Sequence, residues 1–179
     1  MKKASIIFAL LAILFTAAPK NANAQFNPYP DHDKMLSAGF GITGWGVPIY
    51  ARIEFPVYDN VTVGGGFSFQ TKTENYFGYK YKHTIFGIIA RGDYHFNELL
   101  EISDEWDVYA GLGLGYVNWN TKYEGGGTTI TYGGAGSGGF SIGVHVGGRY
   151  FFSDNWAANL EFGGGNVLSG ATIGVTYLF

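Results

Sequence analysis

The sequence predicts an all-β protein, an eight-stranded antiparallel up-and-down transmembrane β-barrel, on three observations. The last nine residues alternate, with Ala171, Ile173, Val175, Tyr177 and Phe179 in one phase and Thr172, Gly174, Thr176 and Leu178 in the other, the two-residue period of a strand. Among 179 residues there are 29 glycines and 18% aromatics, with no three-residue glycine period, which excludes collagen and argues against disorder. From Met35 onward, eight segments are each near or above the roughly 9 to 11 residues that a tilted strand needs to cross a bilayer.

The chain opens with Lys2 and Lys3, an apolar run from Ala4 to Ala18, and Ala22-Asn23-Ala24 before Gln25. This reads as a secretory signal peptide over residues 1 to 24 with an A-x-A cleavage site, because the run is shorter than the roughly 20 residues of a spanning helix. Removing Lys2, Lys3 and Lys20 from the 11 basic residues leaves 8 against 14 acidic ones, a formal charge of −6. Nucleic acid is therefore not expected as a partner. Without cysteine there is no disulfide framework, thiol chemistry or thiolate metal site.

Residues 25 to 34 carry two prolines and no periodicity and read as a periplasmic lead-in to a barrel over residues 35 to 179. Asp31, His32 and Asp33 are adjacent and so point opposite ways in an extended chain; a solvated tail is expected, with no metal. The strands are expected at 35 to 44, 47 to 58, 61 to 73, 83 to 96, 106 to 121, 138 to 152, 156 to 166 and 171 to 179. An even count returns both termini to the periplasmic side.

Alternation assigns the faces. Ile49, Ala51, Ile53, Phe55 and Val57 share one phase, as do Phe86, Ile88, Ala90, Tyr94 and Phe96; Trp106 to Tyr116 and Phe140 to Phe152 repeat the pattern. The opposite phase holds Arg52, Glu54, Arg91, Asp93, Asp107, Arg149, Glu161 and many glycines, including Gly64, Gly66, Gly111 and Gly143. Small residues crowded into a lumen, with aromatics at the strand ends outside, account for both facts better than a soluble sandwich does. Tyr58-Asp59-Asn60 and Ser153-Asp154-Asn155 are expected as three-residue hairpin turns with a left-handed Asn in last place. Asn97 to Glu105 is a long acidic connection carrying Leu99, Leu100 and Ile102, read either as a solvated connector or as a helical turn against the rim.

The run Asp93-Tyr94-His95-Phe96-Asn97-Glu98-Leu99-Leu100, followed by Trp106 to Tyr116 with its alternating glycines, resembles the outer-membrane β-barrel domain common in Bacteroidota. It is more distantly similar to the small OmpA/OmpX-type barrels. The C-terminal strand resembles the closing strand of such barrels, where the terminal aromatics, here Tyr177 and Phe179, belong to the assembly signal. The resemblance implies a bacterial outer-membrane location, contact with outer-membrane lipid including lipopolysaccharide, engagement of the barrel-assembly machinery through the last strand, and a monomer. It carries no catalytic residue across.

Two constellations remain. Arg52, Glu54, Arg91, Asp93, His145, Arg149 and Glu161 are expected as a lumen charge network, with His95 in the same phase and Arg149 a diagonal neighbour of Glu161. It reads as an ion-paired filling or, alternatively, as a gate. Lys72, Lys80 and Lys82 interleave with Tyr76, Phe77, Tyr79 and Tyr81, either as snorkelling residues of an aromatic girdle or as a contact for lipid phosphate or glycan. Gly125 to Gly127 and Gly133 to Gly139 lack the strand, lysine and helix context of a phosphate loop. No triad, carboxylate pair or ligand run suggests catalysis or a cofactor. The expected function is a structural or surface-interaction role through the loops at Asn75 to Tyr81 and Lys122 to Ser137. The alternative is a narrow porin-like channel for ions or small solutes; an enzyme acting on lipids comes third.

Overall fold

A computed structural model describes residues 34–44, 46–76, 79–125, 128–132, 138–165 and 169–179. The expected signal peptide, Asp31 to Asp33 and Phe77 lie outside them. Alternating apolar and small residues produce strands β1 (Met35–Ile42), β2 (Ile49–Tyr58), β3 (Val61–Tyr76), β4 (Tyr79–His95), β5 (Trp106–Gly125), β6 (Thr128–Tyr132), β7 (Gly139–Phe151), β8 (Trp156–Gly165) and β9 (Gly170–Leu178). All pairings are antiparallel, in the order β4-β3-β2-β1-β9-β8-β7-β5-β6, and a β4–β5 ladder closes the circle. β6 and β7 pair with successive stretches of β5, Thr121 to Gly125 and Trp106 to Val117, so they share one strand position. The result is a closed eight-stranded barrel.

Closure satisfies the main chain of the terminal strands. β9 lies between β1 and β8, and Lys34 and Phe179 exchange N–H···O bonds of 2.7 and 2.9 Å. A sheet with no free edge within its apolar band leaves no unpaired N–H or C=O to face hydrocarbon.

The phases fall as the alternation requires. Leu36, Phe40, Ile49, Phe55, Phe86, Ile88, Leu112, Leu114, Ile142, Val144, Phe162 and Ile173 are exposed, while Arg52, Glu54, Arg91, Asp93, Asp107, Arg149 and Glu161 are buried. This is an inverted protein: apolar outside, charged within. Aromatics ring the end with the short turns, where Trp106 contacts Tyr150 and Trp156 contacts Tyr177, each at 4.8 Å between ring centroids.

The strands nearest the other end differ from expectation. β3 and β4 pair as far as Tyr76 and Tyr79, so Asn75, Tyr76 and Tyr79 to Tyr81 are hairpin strand rather than loop, and β5 runs on through Lys122 to Gly125 to pair with β6. Alternation weakens there because Lys, Thr and Tyr replace the apolar phase, but β-propensity and cross-strand pairing continue without it. β1 ends earlier and β2 starts later than the sequence suggests, with Pro48 ahead of Ile49.

The hairpin turns also correct the sequence reading. Glu101 is the only non-glycine at positive φ among the described residues, so neither Asn60 nor Asn155 is left-handed. Tyr58 pairs with Val61 beside a register shift after Pro56, leaving Asp59 and Asn60 to turn the chain. What the asparagines do is extend the next ladder: Asn60 O accepts from His95 N at 2.9 Å, and Asn155 O from Leu178 N at 2.8 Å. The acidic connection does contain a helical turn. Leu100 N bonds Phe96 O at 2.9 Å, and Ile102 N→Asn97 O with Glu101 N→Glu98 O forms a Schellman-type close at left-handed Glu101. Leu99 and Leu100 are exposed, so the turn does not pack them against the rim.

Candidate functional site

The lumen charges form two linked clusters. Nearest the short-turn end, the Arg149 guanidinium on β7 donates through Nη2 to both oxygens of Glu54 on β2, at 2.7 and 2.6 Å. Through Nη1 it donates to Asp107 Oδ2 on β5 at 2.8 Å. Asp107 Oδ1 meets His95 Nδ1 at 2.7 Å, and His95 Nε2 meets Thr62 Oγ1 at 3.0 Å. Arg149 also stacks over the Tyr109 ring, 4.3 Å from its centroid. Arg149, Glu54 and Asp107 have no exposed surface, which a charge tolerates only when paired in this way.

The second cluster lies toward the barrel middle. Glu161 Oε2 on β8 accepts from Arg52 Nη1 at 2.6 Å, Arg91 Nη2 at 2.9 Å and the Tyr109 hydroxyl at 3.0 Å. Arg91 holds Asp93 with two hydrogen bonds, at 2.7 and 3.1 Å, and Asp93 also bonds the His145 ring. A neutral chain continues round the wall: Tyr50 to Asn159 at 2.7 Å, Asn159 to Thr176 at 2.9 Å, and Thr176 to Ser37 at 2.9 Å.

Glycines on facing strands make room for this filling. A Cβ at Gly111 would overlap Asp93 Oδ1 and lie 2.6 Å from His145 Nε2. One at Gly147 would meet the Tyr109 hydroxyl at 2.5 Å, and one at Gly66 the Arg52 Cγ at 2.7 Å. Lumen glycine and lumen charge are therefore two halves of one packing solution.

Above the second cluster the lumen holds a cavity with about 40 Å³ of room for water, lined in part by Arg52, His145, Glu161, Gly143 and Thr172. Arg52 Nε and Nη2 and Thr172 Oγ1 lack a protein partner, and these side chains line that space. A polar cavity of this size suits ordered water.

All seven expected network residues face inward and join the clusters. One pairing is corrected. Arg149 sits opposite Asn159, and Gly147 opposite Glu161, so the diagonal relation exists; Arg149 nevertheless bonds Glu54 and Asp107, while Glu161 is held by Arg52 and Arg91. Asp107 faces Arg149 directly from the neighbouring strand β5, whereas Glu54 meets Arg149, and Glu161 meets Arg52 and Arg91, across the barrel between strands that do not pair. The lumen phase includes Asp107 and His95, but the sequence does not show that they meet each other. Nor does it single out Tyr109, the hub between the clusters; its position two residues after Asp107 is the one available signal.

The expected lysine and aromatic cluster is divided by the strand phase. Lys80 and Lys82 are exposed, whereas Lys72 and Tyr81 lie in the inward phase. Lys72 pairs with Glu74 at 2.8 Å, and its ammonium holds the Glu74 carboxyl below the usual range. Tyr76 pairs with Tyr79 at the end of the hairpin ladder.

No family model matches the chain, and no curated protein does. Solved structures do match. The chain is similar to a major outer membrane protein from Thermus thermophilus, with 14% identity over 84% of this chain and 100% of that one and a TM-score of 0.66. It is also similar to the N-terminal β-barrel domain of Pseudomonas aeruginosa OprF, with 15% identity over 83% and 98% and a TM-score of 0.54. A third is Ail of Yersinia pestis, solved with the heparin analogue sucrose octasulfate, with 13% identity over 83% and 96% and a TM-score of 0.53. The structural neighbours are thus outer-membrane barrels of the OmpA/Ail/OmpX type, and the fold is theirs.

Proposed function

We propose that this protein is a bacterial outer-membrane barrel with a closed lumen, non-enzymatic, whose role is structural or surface-interacting. The observation that carries this reading is the fully buried belt of Arg149, Glu54 and Asp107, which fills the section near the short-turn end. The apolar exterior supports residence in a bilayer, and the signal-peptide pattern of residues 1 to 24 supports export before insertion. The exposed aromatics Tyr177 and Phe179 on the closing strand support recognition by the assembly machinery. Outer-membrane lipid, including lipopolysaccharide, is the expected surround, and the protein acts as a monomer. The Gly-aromatic pattern from Asp93 to Tyr116 supports placement in the barrel domain common in Bacteroidota.

A narrow porin-like channel is the competing reading, favoured by the outer cavity above Arg52 and Glu161. Planar-bilayer conductance of refolded residues 25 to 179 separates the two. A silent membrane, with folding verified by a heat-dependent gel shift, is the expected result. Discrete steps that change in Arg149→Ala would establish a pore gated by the belt and overturn the closed-lumen reading.

A further inference from the structure

The register across β3, β4, β5 and β6 brings together residues that are far apart in sequence. One row reads Thr73, Lys82, Lys122, Thr131, and the row below reads Thr71, Thr84, Asn120. Lys82 and Lys122 stand directly opposite each other and both are exposed, with exposed Lys80 two residues along β4. Like charges directly opposite across a ladder repel. Among the described side chains neither Lys82 nor Lys122 has a carboxylate partner; Glu124 lies opposite Lys80, one row further out. Lys72, by contrast, is on the other face with Glu74.

Height on the barrel gives the row its meaning. Beneath it on the same face come Asn118, then the exposed Tyr116, Phe86, Ile88 and Leu114 of the apolar band. At ~3.3 Å per residue and a ~40° tilt, Lys82 lies about 30 Å above Tyr94, just beyond an apolar band ~25 Å tall. The headgroup layer begins at that level. Strand spacing of ~4.8 Å sets two ammonium groups far enough apart to grip one phosphate between them.

We propose that the outward face of β4 and β5, at Lys82 and Lys122 with Lys80 beside them, is a binding site for the phosphate of an outer-leaflet lipid. This rests on the membrane-barrel reading and names the surface through which it acts. The hydroxyl and amide groups of Thr73, Thr84 and Asn120 border the cations and suit the esters and hydroxyls around a lipid phosphate. Lys122 completes a site of which the local sequence displays only the β4 half.

The test uses the chain from Gln25 in nanodiscs of equal phosphatidic acid and phosphatidylcholine, extracted into mild detergent, with retained lipid counted by native mass spectrometry. Wild type and Lys72→Gln should retain phosphatidic acid over phosphatidylcholine by about tenfold, from the attraction of lysines near a surface. In K80Q/K82Q/K122Q the ratio should fall to about one, and in Lys82→Gln alone it should fall about threefold. An unchanged ratio in both variants overturns the proposal. Displacement of the lipid by excess inorganic phosphate would mark a soluble-anion site and overturn the lipid assignment. Conductance of the same samples keeps the two readings apart: a conducting wild type refutes the closed lumen and leaves the lipid count as it was.

Discussion

The two halves of the lumen are built from the same kind of strand and end differently. From the short turns to the barrel middle, glycines at 66, 111 and 147 face Arg52, the Asp93–His145 pair and Tyr109, and every space they open is taken. Toward the other end, a Cβ at Gly143 would meet only backbone, at 3.3 Å from Gly164 O, and a water-sized cavity begins. Glycine therefore has no single meaning inside this barrel. What it does depends on whether the facing strand offers a long charged side chain or another glycine.

That contrast can be broken at its strong end first. Arg149→Ala leaves Glu54 and Asp107 buried without their cation and should cost about 3–5 kcal/mol in urea unfolding from lipid vesicles. A loss below about 1 kcal/mol would mean that water enters the belt and that the plug is soft. Gly147→Val should cost about 1–3 kcal/mol by pushing against Tyr109 and shifting Arg149 with it. Gly143→Ala, on the cavity side, should stay within about 1 kcal/mol in the same assay. Equal effects at positions 143 and 147 would erase the distinction between the halves.

The smallest effect is expected beyond the apolar band. Lys72 holds the Glu74 carboxyl below its usual range, so the pair's contribution is present above the ordinary glutamate range and is lost only as pH falls through the lowered value. The pair is exposed, and Glu74→Gln should leave the urea midpoint where it is in wild type. The Glu74 carboxyl resonance, followed by NMR, should titrate at a lower pH than a free glutamate, and Lys72→Gln should raise it toward the ordinary value, with His83 still beside it.

Much of the fold is legible because a strand's side chains alternate strictly. Arg52 and Glu54, two residues apart, have to share a face, and so do Arg91 and Asp93. The hairpin beyond Lys72 is harder to read, since Thr73, Glu74 and Asn75 carry no apolar phase although they pair as regularly as the residues below them. The Asp-Asn turns are found where the sequence places them, but for a different reason. Their asparagines supply carbonyl acceptors to His95 and Leu178, which are contacts between strands and leave no local signal.

By itself the sequence determined which side chains share a face, because a two-residue period fixes the grouping without reference to any other strand, and the glycines beside the charges marked that face as the lumen. The tertiary structure decided who meets whom. Arg149 reaches Glu54 from β7 to β2, Glu161 takes Arg52 and Arg91, and Lys82 comes to stand opposite Lys122, because closure and stagger of the barrel set those distances. Partnership across a barrel depends on the register of every intervening strand, and no stretch of the chain encodes that register alone.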